Sequence, residues 1–98
     1  MMNYKHIFKQ KAVWEIQSFY MHVAEKYRHT YSYEDMERNM HQAFTAGYMI
    51  ERTLMRRKPT LSRWRDYHMA HYGKWYYAYT IEKDIINIVD ACHEQNMH

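Results

Sequence analysis

Downstream of residue 63, large apolar and aromatic side chains alternate with polar or smaller ones, which is the period-two spacing of β-strands that point successive side chains to opposite faces. The pattern predicts three strands, over residues 64–72, 75–81 and 85–92, joined by two-residue turns at Gly73-Lys74 and Lys83-Asp84. If Gly73 takes the positive-φ first position of a type II′ turn, Tyr72 faces Trp75; the second turn then sets Ile86 opposite Ile81 and Ile88 opposite Tyr79. Strict alternation from these pairs gives a heavier, core-facing side with Trp64, His68, Ala70, Tyr72, Trp75, Tyr77, Tyr79, Ile81 and Cys92. The opposite side carries Arg65, Tyr67, Met69, His71, Lys74, Tyr76, Ala78 and His93.

Upstream, the period changes. Residues 3–9 alternate well enough for a short strand that joins the later meander. From residue 11 to about 28, Val13, Ile16, Tyr20, Val23 and Tyr27 follow three- and four-residue steps, predicting an amphipathic helix whose polar side holds Gln17, His22, Glu25 and Lys26. Ser32 followed by Asp35 marks a second helix start. Met36, Met40, Ala43, Phe44, Gly47, Ile50 and Leu54 keep helical spacing to about residue 57, where Lys58-Pro59 ends the run because proline disfavours helix in the residue before it. The order strand, helix, helix, three strands predicts an α+β fold, β-α-α-β-β-β, with a helical hairpin packed on one face of an antiparallel sheet and the other face open.

At 98 residues the chain fits one domain, residues 1–98, with a modest two-layer core. Eleven tyrosines, two glycines and one proline favour a folded, soluble chain over a disordered one. The net charge of +3, with eight neutral histidines, tilts partner choice toward anions, and the cations gather in a connector that holds Arg56, Arg57, Lys58, Arg63 and Arg65. Cys92 is the single cysteine, so an internal disulfide is excluded and a reducing cytoplasmic setting is expected. No apolar run approaches the roughly 20 residues that span a bilayer, and the amino terminus lacks the apolar core of an export signal, so no membrane partner is expected.

The segments YKHIFKQKAVWEIQSFYMHVAEKY and HYGKWYYAYTIEKDIINIVDACHEQ, with a basic connector before the sheet, resemble the RelE/ParE superfamily of toxins over essentially the whole chain. The resemblance lies in a first strand leading straight into a helix, a glycine turn before an aromatic strand, and an aliphatic strand ending in a histidine. It implies the toxin of a type II toxin-antitoxin module, of the kind called plasmid stabilisation proteins, held inactive by a cognate antitoxin protein. It further implies either ribosome-dependent mRNA cleavage that inhibits translation or non-enzymatic inhibition of DNA gyrase, and leaves open a degenerate member that only binds protein, as monomer or homodimer. Ribonuclease members usually carry an arginine where this chain has Tyr76, and lysines near Tyr67 and Met69 are absent, a departure that favours the gyrase reading, while histidine-based members exist and this chain offers His71 and His93.

RNA cleavage without a metal needs a base for the 2′-hydroxyl proton, cations for the phosphorane and an acid for the departing oxygen. On that reading of a metal-independent endoribonuclease, His71 and His93 exchange the base and acid roles and Tyr76 stacks on a base or donates a proton. Lys74 and Arg65 bind phosphate, with Arg56, Arg57, Lys58 and Arg63 as an RNA-contacting rim. The same residues also fit a plain solvated sheet edge and a solvated helix end, and the pattern alone does not choose. His68 and His71 stand three apart on a strand, which sends them to opposite faces, so no metal site and no cofactor is expected. Met36 and Met40 read as core, and Cys92 as a buried thiol.

Overall fold

The computed structural model describes residues 4–53 and 61–97. Strand β1 (Lys5–Phe8) leads into α1 (Gln10–Lys26) and α2 (Tyr33–Tyr48), followed by β2 (His68–Tyr72), β3 (Trp75–Glu82) and β4 (Ile85–His93). Three short 3₁₀ turns punctuate the order at Ile50–Thr53, Ser62–Trp64 and Glu94–Asn96. The α+β class and the element order are as expected. The sheet order is β1-β4-β3-β2.

Helix α1 presents Ala12, Ile16 and Tyr20 to the sheet, four residues apart, and these are its buried positions. Helix α2 opens on a capping box in which Asp35 donates its backbone N–H to Ser32 Oγ and Asp35 Oδ2 accepts from the Ser32 N–H, each at 3.0 Å. It stops at Tyr48, earlier than the apolar spacing predicts, and Ile50 stays in the core from the following 3₁₀ turn. The end of the expected helix, residues 54–57, lies outside the described residues. Gly47 is needed where α2 crosses β1, because a Cβ there would meet Phe8 Cζ at 2.2 Å.

The meander has the register that the turns set: Tyr72 pairs with Trp75, Ile81 with Ile86 and Tyr79 with Ile88. Gly73 adopts φ 66°, as the turn requires. Two expectations about the sheet are corrected. It is mixed rather than antiparallel, since β1 runs parallel to β4 with Phe8 beside Ile88; a period-two pattern reads the same in both directions and carries no strand polarity. Its second face is covered over part of its area: β2 begins only at His68, and the preceding segment folds back so that Leu61 and Trp64 close over Met69, Ala78 and Cys92. Burying the Trp64 indole removes on the order of 150–250 Å² from water, worth roughly 4–6 kcal/mol, which outweighs the ladder bonds a longer β2 would gain.

A bulge in β4 decides which side chains face where. Ala78 pairs with Asp90 but Tyr79 pairs with Ile88, so Val89 is the extra residue and the alternation slips by one. Beyond it, Ala91 joins the core under the helices, while Cys92 joins the second cluster with Trp64. Cys92 is buried as expected, but on the face away from the helices.

Candidate functional site

The bulge also moves His93. Its ring lies flat on Phe19 of α1, centroids 4.3 Å apart at 8°, and meets Trp75 edge-on at 5.4 Å. His71 is on the other face, stacked on Tyr76 at 4.3 Å and 15°, with Nε2 3.9 Å from Glu94 Oε2. The fold therefore brings His71 and Tyr76 together, as expected, but separates both from His93 by the thickness of the sheet. A shared site for the two histidines is corrected on this ground: strict alternation placed them on one face, and Val89 breaks that alternation.

Arg63 and Arg65 are exposed beside the Ser62–Trp64 turn. Arg63 is committed locally, with its guanidinium 5.7 Å from the Trp64 ring centroid and Nε 3.7 Å from Asp90 Oδ2. Arg56, Arg57 and Lys58 lie outside the described residues. Lys74 is exposed at the β2–β3 turn, and its carbonyl accepts the Glu94 N–H at 2.8 Å, which fixes the turn beside the end of β4.

His93 and Lys74 open together onto a cleft of about 740 Å³ along the flank of α1. The helix wall is built by steps of four: Trp14, Ser18, His22 and Lys26 form one ridge and Glu15, Phe19, Val23 and Tyr27 the next. Gln95 and Asn96 from the last 3₁₀ turn close the end. The wall is amphiphilic, with Lys26 and Lys74 outnumbering Glu15 and two imidazoles as further polar groups. The sequence pattern placed His22 and Lys26 on the polar side of the helix but gave no reason to join them to His93, because that contact depends on the bulge.

His93 is the most constrained polar group of the cleft. Its Nδ1 accepts the Gln95 N–H at 3.3 Å, so the neutral ring carries its proton on Nε2. Burial against Phe19 and Trp75 holds its pKa below the ordinary histidine value; adjacent Glu94 works against that shift and Lys74 adds to it. Near neutrality the ring is therefore an uncharged N–H donor suited to an anionic oxygen. The Cys92 thiol, by contrast, is pushed up by burial, with Arg63 opposing, and donates to the His93 carbonyl at 3.6 Å. A protonated, buried thiol is no nucleophile.

Asp90 is the residue that pattern reading missed. It is 4% exposed, yet Oδ2 accepts from the Trp64 indole at 2.7 Å and Lys11 Nζ at 2.9 Å, and Oδ1 accepts the Ala91 N–H at 2.9 Å. One carboxylate thus ties the covering segment to the start of α1 and to the bulged part of β4. Among the described residues no group of three or more His, Cys, Asp or Glu side chains is placed to hold a metal ion. None of the described helices is long and apolar enough to cross a membrane. The fold and cleft define a two-layer α+β domain with a cationic, aromatic groove, and no family model, curated protein or solved structure matches the chain.

Proposed function

We propose that this chain is the toxin of a type II toxin-antitoxin module, of the RelE/ParE kind, and that it inhibits translation by cleaving ribosome-bound mRNA without a metal. The observation that carries the reading is the cleft beside α1, where the Nε2–H donor of His93 and the Lys74 ammonium line one groove with aromatic rings. These two groups take the charge of the phosphorane, and His22 on the facing ridge accepts the 2′-hydroxyl proton. The O2′–P bond forms, the P–O5′ bond breaks, and the departing oxygen takes its proton from solvent in the open groove. His71 and Tyr76 on the far face are left to contact partner or ribosome rather than the reacting phosphate.

A second reading, inhibition of DNA gyrase by surface contact, is favoured by the large apolar side chains that the helices leave exposed, Trp14, Met21, Tyr33 and Tyr48. The same surface suits a cognate antitoxin. Induced expression with pulse labelling separates the two. Immediate loss of amino-acid incorporation, relieved by His93→Ala and by Lys74→Ala, supports the ribonuclease; continued translation with arrested DNA synthesis supports the gyrase reading. Normal growth and normal incorporation of both labels on induction would remove both.

A further inference from the structure

We infer that the cleft along α1 is a track for single-stranded nucleic acid that binds the strand without the ribosome and without reading the 2′-hydroxyl, using Trp14 and Tyr27 as stacking platforms. The inference deepens the ribonuclease reading and rests on it for its biological sense, but it stands on separate observations. Trp14 is 61% exposed and Tyr27 50% exposed, an unusual state for rings of this size, and both line the same groove. They stand 13 positions apart along the chain, Trp14 in the first half of α1 and Tyr27 at its C-terminal cap, an axial span of about 20 Å at 1.5 Å per residue, on neighbouring ridges that wind around the groove wall. Beside them sit two cations, Lys26, whose ammonium lies 5.4 Å from the Tyr27 ring centroid, and Lys74, with the imidazoles of His22 and His93 as further polar groups.

Aromatic faces alternating with positive charge are what a flexible polyanion with exposed bases needs. Every base offers a π-face, so stacking is tolerant of sequence, while lysines follow the phosphates. A duplex hides its base faces and gains only the charge term. The spacing suits about four nucleotides, at the short end of single-strand sites. A peptide occupant is disfavoured by charge: an acidic partner would satisfy the lysines but leave no reason for two separated, half-solvated rings in the same groove.

The chain supplies its own reporter. Of its three tryptophans, Trp64 and Trp75 are 1% and 3% exposed and Trp75 meets His93 edge-on, so the part of a fluorescence response to ligand that is lost in Trp14→Phe belongs to Trp14. The test uses the purified protein and an eight-nucleotide deoxyribonucleotide of mixed sequence, which has no 2′-hydroxyl and survives the proposed chemistry. The expected result is saturable quenching of tryptophan emission, matched by a rise in anisotropy of the labelled strand, with the corresponding duplex binding several-fold more weakly. Trp14→Ala and Tyr27→Ala should each weaken the single strand by about fivefold or more, and Lys26→Ala or Lys74→Ala should lower the salt slope by about 0.7 each. Far-UV circular dichroism checks that each variant is folded; Trp14→Phe, which keeps a ring, should bind nearly as well as the parent in the anisotropy assay.

Absence of strand binding by the folded parent overturns the track, as does unchanged affinity in both Trp14→Ala and Tyr27→Ala. If those variants lose the strand but still arrest translation on induction, the stacking track is separate from the toxic activity and its deepening of that site is overturned. Tight strand binding by a chain that leaves growth untouched instead removes the toxin reading and keeps the track.

Discussion

Asp90→Ala is the substitution that should cost this fold most per atom removed. The carboxylate is 4% exposed and receives the Trp64 indole N–H at 2.7 Å and the Lys11 ammonium at 2.9 Å. Its loss strands the Trp64 N–H among Leu61, Met69 and Cys92, and an unsatisfied buried donor costs roughly 1–3 kcal/mol. The backbone N–H of Ala91 loses its acceptor as well, for about 1 kcal/mol more. Lys11 adds little, because its side chain is 58% exposed and returns to water; exposed ion pairs are worth about 0–1 kcal/mol. The sum is about 2–4 kcal/mol, a large fraction of the 5–15 kcal/mol available to a domain. Asp90→Asn keeps one acceptor oxygen and loses the other, so it should fall between, near 1–2 kcal/mol. Urea unfolding followed by far-UV circular dichroism measures both. A loss below about 0.5 kcal/mol for Asp90→Ala would refute the argument that this carboxylate holds the covering segment in place.

Because burial depresses the His93 pKa below its unfolded value, the unfolded chain binds the proton more readily. Stability should therefore fall as pH drops through and below about 6.5 toward the lower folded value, and His93→Gln should shrink that slope in thermal melts between pH 8 and 5; an unchanged slope would contradict it. Gly47→Ala drives a methyl into the Phe8 ring, which is held edge-on by Phe44 and Tyr48, so the helix-propensity gain of about 1 kcal/mol is exceeded and the chain loses about 1–2 kcal/mol net; Phe8→Leu in the same chain should recover most of it. Ser32→Ala removes the hydroxyl that caps α2 and should cost about 1 kcal/mol in the same urea assay, with no effect on strand binding.

How much of this was legible in the chain can be judged position by position. The meander register was, up to the Val89 bulge, because Gly73-Lys74 and Lys83-Asp84 leave only two residues between strands and so fix the pairs that follow each turn. The helical hairpin was, because Val13, Ile16, Tyr20 and Val23 keep helical spacing and Ser32 with Asp35 spells a cap, although the buried stripe runs through Ala12 rather than Val13 and Tyr27 is exposed. The Val89 bulge was not read, although a signal existed: strict alternation from Ile88 sends Asp90 into the core under the helices, a costly position for a carboxylate, and one extra residue replaces it there with Ala91. That single slip parts His93 from His71 and delivers it to the α1 groove. The covering segment was hidden for another reason: alternation extended the first meander strand back to Trp64 and set that residue on the core-facing side, whereas it closes over the opposite face, and Leu61 stands in a cationic stretch that reads as solvated.

The candidate site is thus a product of tertiary geometry more than of motif. His22, Lys26, Lys74 and His93 come from α1, a turn and a strand end, and no local spacing links them. Trp14, exposed on the flank of α1 opposite to its buried positions, was not singled out either, because the pattern names only Gln17, His22, Glu25 and Lys26 on that side.

On the proposed ribonuclease reading, the working face is the α1 groove holding His93 and not the far face holding His71. Mapping mRNA 5′ ends by primer extension after induction of the parent, His93→Ala and His71→Ala tests it most directly. New cleavage ends are expected with the parent and with His71→Ala, and none with His93→Ala. Cleavage that survives His93→Ala but disappears with His71→Ala, or no cleavage by the parent, would contradict it.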